Sequence, residues 1–428
     1  MKQYAFILGR VYTLSLAELF FYFQRKQIEV NVVDLSFEVL IIQTEKFLDI
    51  EQIQKDLGGT VKILKVIDEF KKREQDSVNF VLRHYFKPGR LKKDYLTKSK
   101  GKIQFGVSVY LLDSEVQAFG EPKRLGMMIK RGLQDAGASI RLVLPKFNSL
   151  TLASVVVNKN NLLQKGAEIC VLVGQTKLYV AKTISIQDFE DYGRRDYQRP
   201  IRDEKQGMIP PKVAQMMINF ASQKRGATIL DPMCGIGTVV QESVLLGYRA
   251  LGTDINHLAI SGSDKNLEWF RNRYKVPKGK YHLETSDVKE VSKIVENLKN
   301  IKAFDQINAV VTEGYLGPMY SDFPTQEEIT QNFAELKTLY TKAFQDFLKF
   351  LPEGASIVMC LPAYKKRDNY TYFPHIDELT KIGYSIKDLI SRDLALNIPF
   401  LKLTDRGTAV YDRKDQIVAR EIIIFQKN

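Results

Sequence analysis

An apolar run in "ATILDPMCGIGT" (227–238) ends in Asp231, and a turn with Gly235 and Gly237 follows before Thr238 opens a helical pattern. Two further acids stand at the ends of the next two apolar runs: Asp254 in "RALGTDIN" and Asp287 in "LETSD". Glycines at the turn let a backbone approach a ligand where a side chain would collide. Ligands of open α/β sheets sit at the carboxyl ends of strands. A phosphate loop would need Gly-Lys-Ser/Thr here, and there is no Lys. A dinucleotide fingerprint would need a third glycine, and Val240 fills that slot. Asp231 before the turn would also repel a phosphate. Three acids at three successive strand ends suit a ligand with a cationic group, ribose hydroxyls and a base amine, and S-adenosylmethionine has all three. Helix N-capping is the competing reading for each acid taken singly.

A fourth apolar run, "INAVV", leads into "TEGYLGPMY" (312–320). The amine of a nucleobase is a poor nucleophile because its lone pair is delocalised into the ring. Acceptors that take hydrogen bonds from the NH₂ group direct that lone pair outward, so positioning and electrostatics carry such a reaction. An aromatic ring beside them stacks on the base for about 1–3 kcal/mol.

"DPMCGIGT", "GTDI" and the fourth strand-end motif resemble the methyltransferases that act on exocyclic amines of nucleic-acid bases. "DYQRP" and "GMIPPKVAQMMINFA" upstream narrow the likeness to the THUMP-containing tRNA guanine-N2 methyltransferases of archaea and eukaryotes, which modify guanosine 10. The resemblance covers nearly the whole chain and is strongest over 188–260. It implies S-adenosylmethionine as cofactor, tRNA as partner and direct methyl transfer with no metal. Asp231 and the turn with Gly235 and Gly237 would hold the methionine part, lined by Met208 and Pro210. Asp254 would bind the ribose and Asp287 the adenine, with Pro232, Cys234, Thr238, Ile255 and Ser286 also in the cofactor site.

The family carries Asp-Pro-Pro-Tyr or a close variant after its fourth strand. Here the four positions read Thr312, Glu313, Gly314 and Tyr315. The aromatic remains, the Asp is Thr and both prolines are absent. Thr312 or Glu313 would take the Asp role, Gly314 would offer its carbonyl, and Tyr315 would stack. Two alternatives stand beside this reading: a tRNA-binding protein on a scaffold that no longer methylates, or an amino-methyltransferase acting on DNA or rRNA.

The elements that must position these residues follow from periodicity. From Ile209 to 428, apolar runs alternate with helical patterns, which implies a parallel α/β sheet with "YSIKDLI" and "REIIIFQK" near one edge; the resemblance makes it a Rossmann-like, mostly parallel seven-stranded sheet. Residues 1–72 show a βαββαβ rhythm that suggests a small α+β domain, ferredoxin-like by resemblance, with Ser15 as a helix N-cap. Residues 73–186 read as a basic α+β domain, THUMP-like by resemblance, with "LASVVV" among its strands. Residues 187–208 read as a polar connector.

The chain has a formal charge of +13. Such an excess points to a polyanionic partner. Between Arg83 and Lys146, fourteen lysines and arginines face five acids. Arg124, Lys130 and Arg131 from this region, with Arg194, Arg195 and Arg199 of "RRDYQRP", are the expected RNA contacts. Three scattered cysteines and four histidines build neither a disulfide framework nor a zinc spacing. The absence of a long apolar run and of a leader pattern gives the cytoplasm as the expected compartment.

Overall fold

The structure is a computed structural model that describes residues 1–73, 76–96, 103–113, 116, 121–202, 208–301, 304–367, 369–413 and 416–428. Lys98, Lys100, Lys102 and Glu115 of the basic region lie outside the described residues. The chain divides into two compact units, residues 1–16 with 27–189 and residues 17–26 with 190–428.

The first unit is built on one eight-stranded sheet. Its strands are β1 (Lys2–Leu8), β2 (Asn31–Leu35), β3 (Val39–Thr44), β4 (Thr60–Lys71), β5 (Ile103–Leu111), β6 (Ile140–Val143), β7 (Gly166–Val173) and β8 (Lys177–Ile186), in the order β2-β3-β1-β4-β8-β7-β5-β6. The first six elements follow the expected βαββαβ rhythm. β4 pairs with β8 from Lys62 opposite Ile186 to Lys71 opposite Lys177, so one sheet joins strands from both sides of the expected domain boundary at residue 72. Local signals explain two helices here. Asp49 caps the helix Ile50–Asp56 by accepting the Gln52 amide, and Gly137, at φ +76°, follows the helix Glu121–Asp135 as a left-handed stop.

Two local expectations are corrected. Ser15 is not an N-cap: the helix starts at Tyr12, and the Ser15 hydroxyl donates back to the Val11 carbonyl at 3.1 Å. "LASVVV" is not a strand but leads into the helix Ser154–Lys159. The cause is tertiary. Leu152 donates its amide to Ser108 Oγ at 2.9 Å, and its carbonyl accepts from Lys62 Nζ at 2.7 Å. Side chains therefore hold the main-chain groups that a ladder would use, and β propensity yields to context.

Those side chains belong to a buried polar cluster. Lys62 Nζ lies 2.6 Å from Glu168 Oε1, with side-chain exposures of 2% and 0%. Ser108 Oγ and Thr183 Oγ1 donate to the same carboxylate at 2.5 and 2.6 Å.

The second unit carries β9 (Thr228–Asp231), β10 (Arg249–Asp254), β11 (Tyr281–Thr285), β12 (Ala309–Thr312), β13 (Ser356–Lys366), β14 (Asn369–Tyr372), β15 (Tyr384–Lys387), β16 (Ala409–Tyr411) and β17 (Val418–Lys427). The main path runs β11-β10-β9-β12-β13-β17-β15, with β14 on β13 and β16 on β17. β9 to β13 are mutually parallel, and β17 is antiparallel to β13 and β15. The expected seven-strand path is present, and two short antiparallel strands extend it to nine. Strand order reverses between β9 and β12, which opens a crevice at their carboxyl ends.

The helix Gln326–Phe347 covers this sheet. It starts in a capping box between Thr325 and Glu328. Its stripe of Ile329, Phe333, Leu336, Tyr340, Phe344 and Phe347 packs on Val310, Ile357, Met359 and Ile423. Each such side chain gains about 1.5–3 kcal/mol from burial, which fixes the strands that hold the site. Residues 17–26 complete the unit elsewhere: Phe21 packs edge-on against Phe220 at 5.5 Å, and Glu18 Oε1 accepts from Asn219 Nδ2 at 2.7 Å.

Replacing Lys62 by Met strands the Glu168 charge in the first unit's core. We expect a loss of about 3–5 kcal/mol in the first unit's unfolding free energy by urea denaturation, and recovery of much of it in Lys62→Met/Glu168→Leu.

Candidate active site

Asp231, Asp254 and Thr312 close β9, β10 and β12, and Asp287 follows β11 by two residues. The sheet thus gathers the expected acids along one edge of the crevice.

The turn after β9 is built from close approaches. Gly235, at φ +51°, donates its amide to Asp254 Oδ2 at 2.9 Å, and a Cβ added there would meet nothing within 4 Å. Gly237, at φ +89°, has no such freedom, because a Cβ would stand 2.4 Å from Ser263 Oγ. The two glycines therefore serve different ends, one leaving open space in front of the turn and the other permitting packing behind it. The Cys234 amide donates to Thr253 O at 2.9 Å, which locks the turn to β10, and burial pushes the Cys234 thiol up. Pro232 and Thr238 are buried beside it.

Asp231 is 3% exposed, and no cation pairs with it among the described residues. Its Oδ1 accepts the Met233 amide at 3.4 Å, and Thr312 donates a side-chain hydrogen bond to it. Burial pushes its carboxyl up to about 7 despite those bonds. Asp254 is less enclosed; its Oδ1 takes the Asn256 amide at 2.9 Å. Ile255 beside it is 70% exposed, an apolar face left uncovered by the described residues. Ser286 donates its amide to Asp254 O at 3.0 Å. Burial works against ionised Asp287, but the Lys289 amide at 3.0 Å and the Lys289 ammonium at 2.9 Å hold it below its ordinary value. Asp287 is thus also an N-cap, so the capping reading and the ligand reading coexist at this residue.

In the fourth motif, Thr312 is 1% exposed and its Oγ1 accepts the Gly314 amide at 3.2 Å. Its hydroxyl is committed inward, to Gly314 and Asp231. Glu313 is the carboxylate at the crevice: Oε1 accepts from Arg420 Nε at 2.5 Å, and Oε2 accepts the Ile209 amide at 3.1 Å. Gly314 takes φ +74°, and a Cβ there would strike the Tyr340 hydroxyl at 2.8 Å. Tyr315 is 48% exposed, while its carbonyl is anchored by the Tyr340 hydroxyl. Met208 and Pro210 flank the residue that Glu313 holds. Met208 accepts from Arg413 Nη2 through its carbonyl at 3.1 Å and from Arg199 Nη2 through Sδ at 2.9 Å.

The expected RNA contacts divide. The connector is helical over Phe189–Tyr197, and this turns Arg195 inward onto Glu242 Oε1 at 2.7 Å and onto Asp191. Arg199 is 3% exposed and donates to Thr238 Oγ1 at 2.7 Å. For these two arginines the expectation of phosphate contact gives way to a buried structural role. Arg194 stays partly exposed beside Glu190, Arg131 is exposed, Lys130 is half-buried, and Arg124 is exposed beside Glu121.

Arg420 and Arg413 were not among the sequence-derived candidates. Arg420 had a signal: "VAREIIIF" places an Arg–Glu pair inside an otherwise apolar strand, where charges persist only when paired.

Residues 199–370 match the family described as UPF0020: RMKL-like, methyltransferase domain. The chain is 27% identical over 183 residues to the tRNA (guanine(10)-N2)-dimethyltransferase of Methanocaldococcus jannaschii, covering 42% of this chain and 48% of that protein. It is 26% identical over 158 residues to the protein of the same name from Methanothermobacter thermautotrophicus, covering 37% and 40%. Each match thus spans less than half of the relative's length. Among solved structures, TrmN from Thermus thermophilus superposes with a TM-score of 0.55 at 11% identity, over all of both chains. A possible methylase from Clostridium difficile 630 gives 0.51 at 12% identity, over 100% of this chain and 97% of that one. These two likenesses establish the fold.

Because the Asp231 carboxyl titrates higher in the folded state than its ordinary value of about 3.9, the folded protein binds more protons than the unfolded one between about pH 4 and 7. Its contribution to stability falls as pH rises through that window and is level above it. Asp231→Asn removes this slope. The variant's stability advantage over wild type in urea denaturation should grow from pH 5 to pH 8, by on the order of a few kcal/mol.

Proposed function

On the premise that residues 199–370 form an RMKL-like methyltransferase domain, we propose that the chain is an S-adenosylmethionine-dependent tRNA methyltransferase acting on the exocyclic N2 amine of guanosine, at position 10. The observation that carries this reading is the alignment of Asp231, Asp254 and Asp287 along the ends of adjacent parallel strands, with Thr312–Tyr315 across the switch point.

The residues suit the cofactor. Asp231 is a buried carboxylate without a cation, and the methionine ammonium group would supply one. Gly235 leaves open space for close backbone approach. Asp254 keeps lone pairs for ribose hydroxyls, since a carboxylate accepts about four hydrogen bonds. Exposed Ile255 offers a flat apolar contact for adenine, and Asp287 an acceptor for its amine. Met208 and Pro210 line the methionine end. When bound, the cofactor supplies an electrophilic methyl group: the N2 lone pair forms the C–N bond as the C–S bond breaks, the electron pair stays on sulfur as a thioether, and nitrogen sheds one proton.

The chain's own task is to place the amine and keep water away. Tyr315 stacks on the base, and acceptors in the 313–314 turn take the amine hydrogens. No helix among the described residues is long and apolar enough to cross a membrane. The basic region of the first unit, read as THUMP-like, supplies the RNA grip through Arg124, Lys130 and Arg131, with Arg194 from the second unit. Cytoplasmic placement follows from a tRNA substrate.

Two measurements test this. Labelled S-adenosylmethionine and an unmodified tRNA pool should yield N2-methylated guanosine by nucleoside mass spectrometry, and Asp254→Ala and Tyr315→Ala should abolish it. Tight RNA binding with no methylated product on tRNA, rRNA or DNA would instead leave a binding protein on this fold. Second, a cationic group beside Asp231 favours its ionised form. Cofactor binding at pH 7 should therefore release on the order of half a proton, read by calorimetry in buffers of different ionisation heat, and Asp231→Asn should release none.

A further inference from the structure

We propose that Arg420 is the positioning residue that transfers the amine-accepting role from position 312 to Glu313. The inference rests on the reaction proposed above and goes beyond it by assigning which group receives the amine and what aims that group.

Thr312 is poorly placed to meet the substrate: it is 1% exposed, and its hydroxyl donates to Asp231 and accepts the Gly314 amide. Glu313, one residue later, has a side chain 21% exposed. Each of its oxygens receives one bond from the chain, from Arg420 Nε and from the Ile209 amide. A carboxylate oxygen accepts about two, so each keeps a lone pair for a donor from outside. The main-chain carbonyls of Glu313 and Gly314 receive no hydrogen bond from the described residues. An exocyclic amine brings two hydrogens, and a carboxylate beside a free carbonyl supplies two acceptors. The carboxylate can also receive the proton that nitrogen sheds once the C–N bond has formed.

Arg420 makes this arrangement rigid. It lies on β17, paired in register with Pro362 on β13 and Tyr411 on β16. Its side chain is 4% exposed, and its Nη1 is tied to Gln416 Oε1 at 2.5 Å. A guanidinium held by a central strand fixes a carboxylate better than a loop does. Among the described residues it is the cation paired with Glu313. Gly314 completes the geometry, since its left-handed turn is what lets Glu313 reach β17 while Tyr315 faces outward.

The test is steady-state methyl transfer by the full chain, with cofactor and tRNA affinities measured alongside. Arg420→Met and Glu313→Gln should each lower kcat at least about 100-fold, with KM for tRNA and the cofactor Kd within about threefold. Their double variant should be scarcely worse than either single one. Arg420→Lys should recover part of the rate, because it keeps the charge and loses the alignment. The charge swap E313R/R420E should restore the ion pair and remain inactive. Wild-type kcat in Arg420→Met, or activity restored by the swap, would reduce the pair to a structural tie and overturn the proposal. If Arg420→Met fails to fold, Glu313→Gln and Arg420→Lys decide the matter. A wild-type protein without turnover would remove the reaction and this inference together, an outcome distinct from an active wild type with an indifferent Arg420.

Discussion

A buried carboxyl group with no counter-charge among the described residues organises the second unit. Asp231 sits where strand order reverses, at the end of β9, and among the described residues a long backbone bond and a threonine hydroxyl satisfy it. Burial of an unpaired acid is costly, and a protein retains one where something else supplies the missing charge. Around this point the main-chain groups of the turn are met: the Gly235 amide by Asp254, the Cys234 amide by Thr253, and the Ser286 amide by the Asp254 carbonyl. Asp231 has no paired cation among the described residues, and the ligand proposed above, a sulfonium bearing an ammonium group, matches it in sign.

The second constraint is the division of labour within the fourth motif. Successive strand side chains point to opposite sides, and at the end of β12 Thr312 is 1% exposed while the Glu313 side chain is 21% exposed. In an Asp-Pro-Pro-Tyr motif the acid stands in the first of those positions. Here a small inward hydroxyl holds the turn, and the acid stands one position later with an arginine behind it.

What the sequence made legible was local. Strand-end acids, the glycine turn, the Thr325–Glu328 capping box and the apolar stripe from Ile329 to Phe347 depend on residues a few positions apart, so spacing reveals them. The parallel sheet followed from strand–helix alternation. What stayed hidden depended on distant partners. Arg195 and Arg199 looked like phosphate ligands until Glu242 and Thr238 claimed them. "LASVVV" has strand composition, but Lys62 and Ser108 hold its start from far along the chain. β14 and β16 are short additions whose existence depends on the strands they join. In the first unit, β4 and β8 pair across more than a hundred residues, and composition alone cannot announce such a ladder.

Residues 17–26 belong to the unit otherwise formed from residue 190 onward. Phe21 and Glu18 leave the ribosome early, while Phe220 and Asn219 follow some two hundred residues later. Closing so long a loop is entropically slow. Phe21 is made long before the residue that covers it, and the second unit is complete only when its later strands have been made. Synthesis order therefore makes residues 17–26 a late-closing piece of the second unit, and the chain's vulnerability to aggregation falls in the interval before they close.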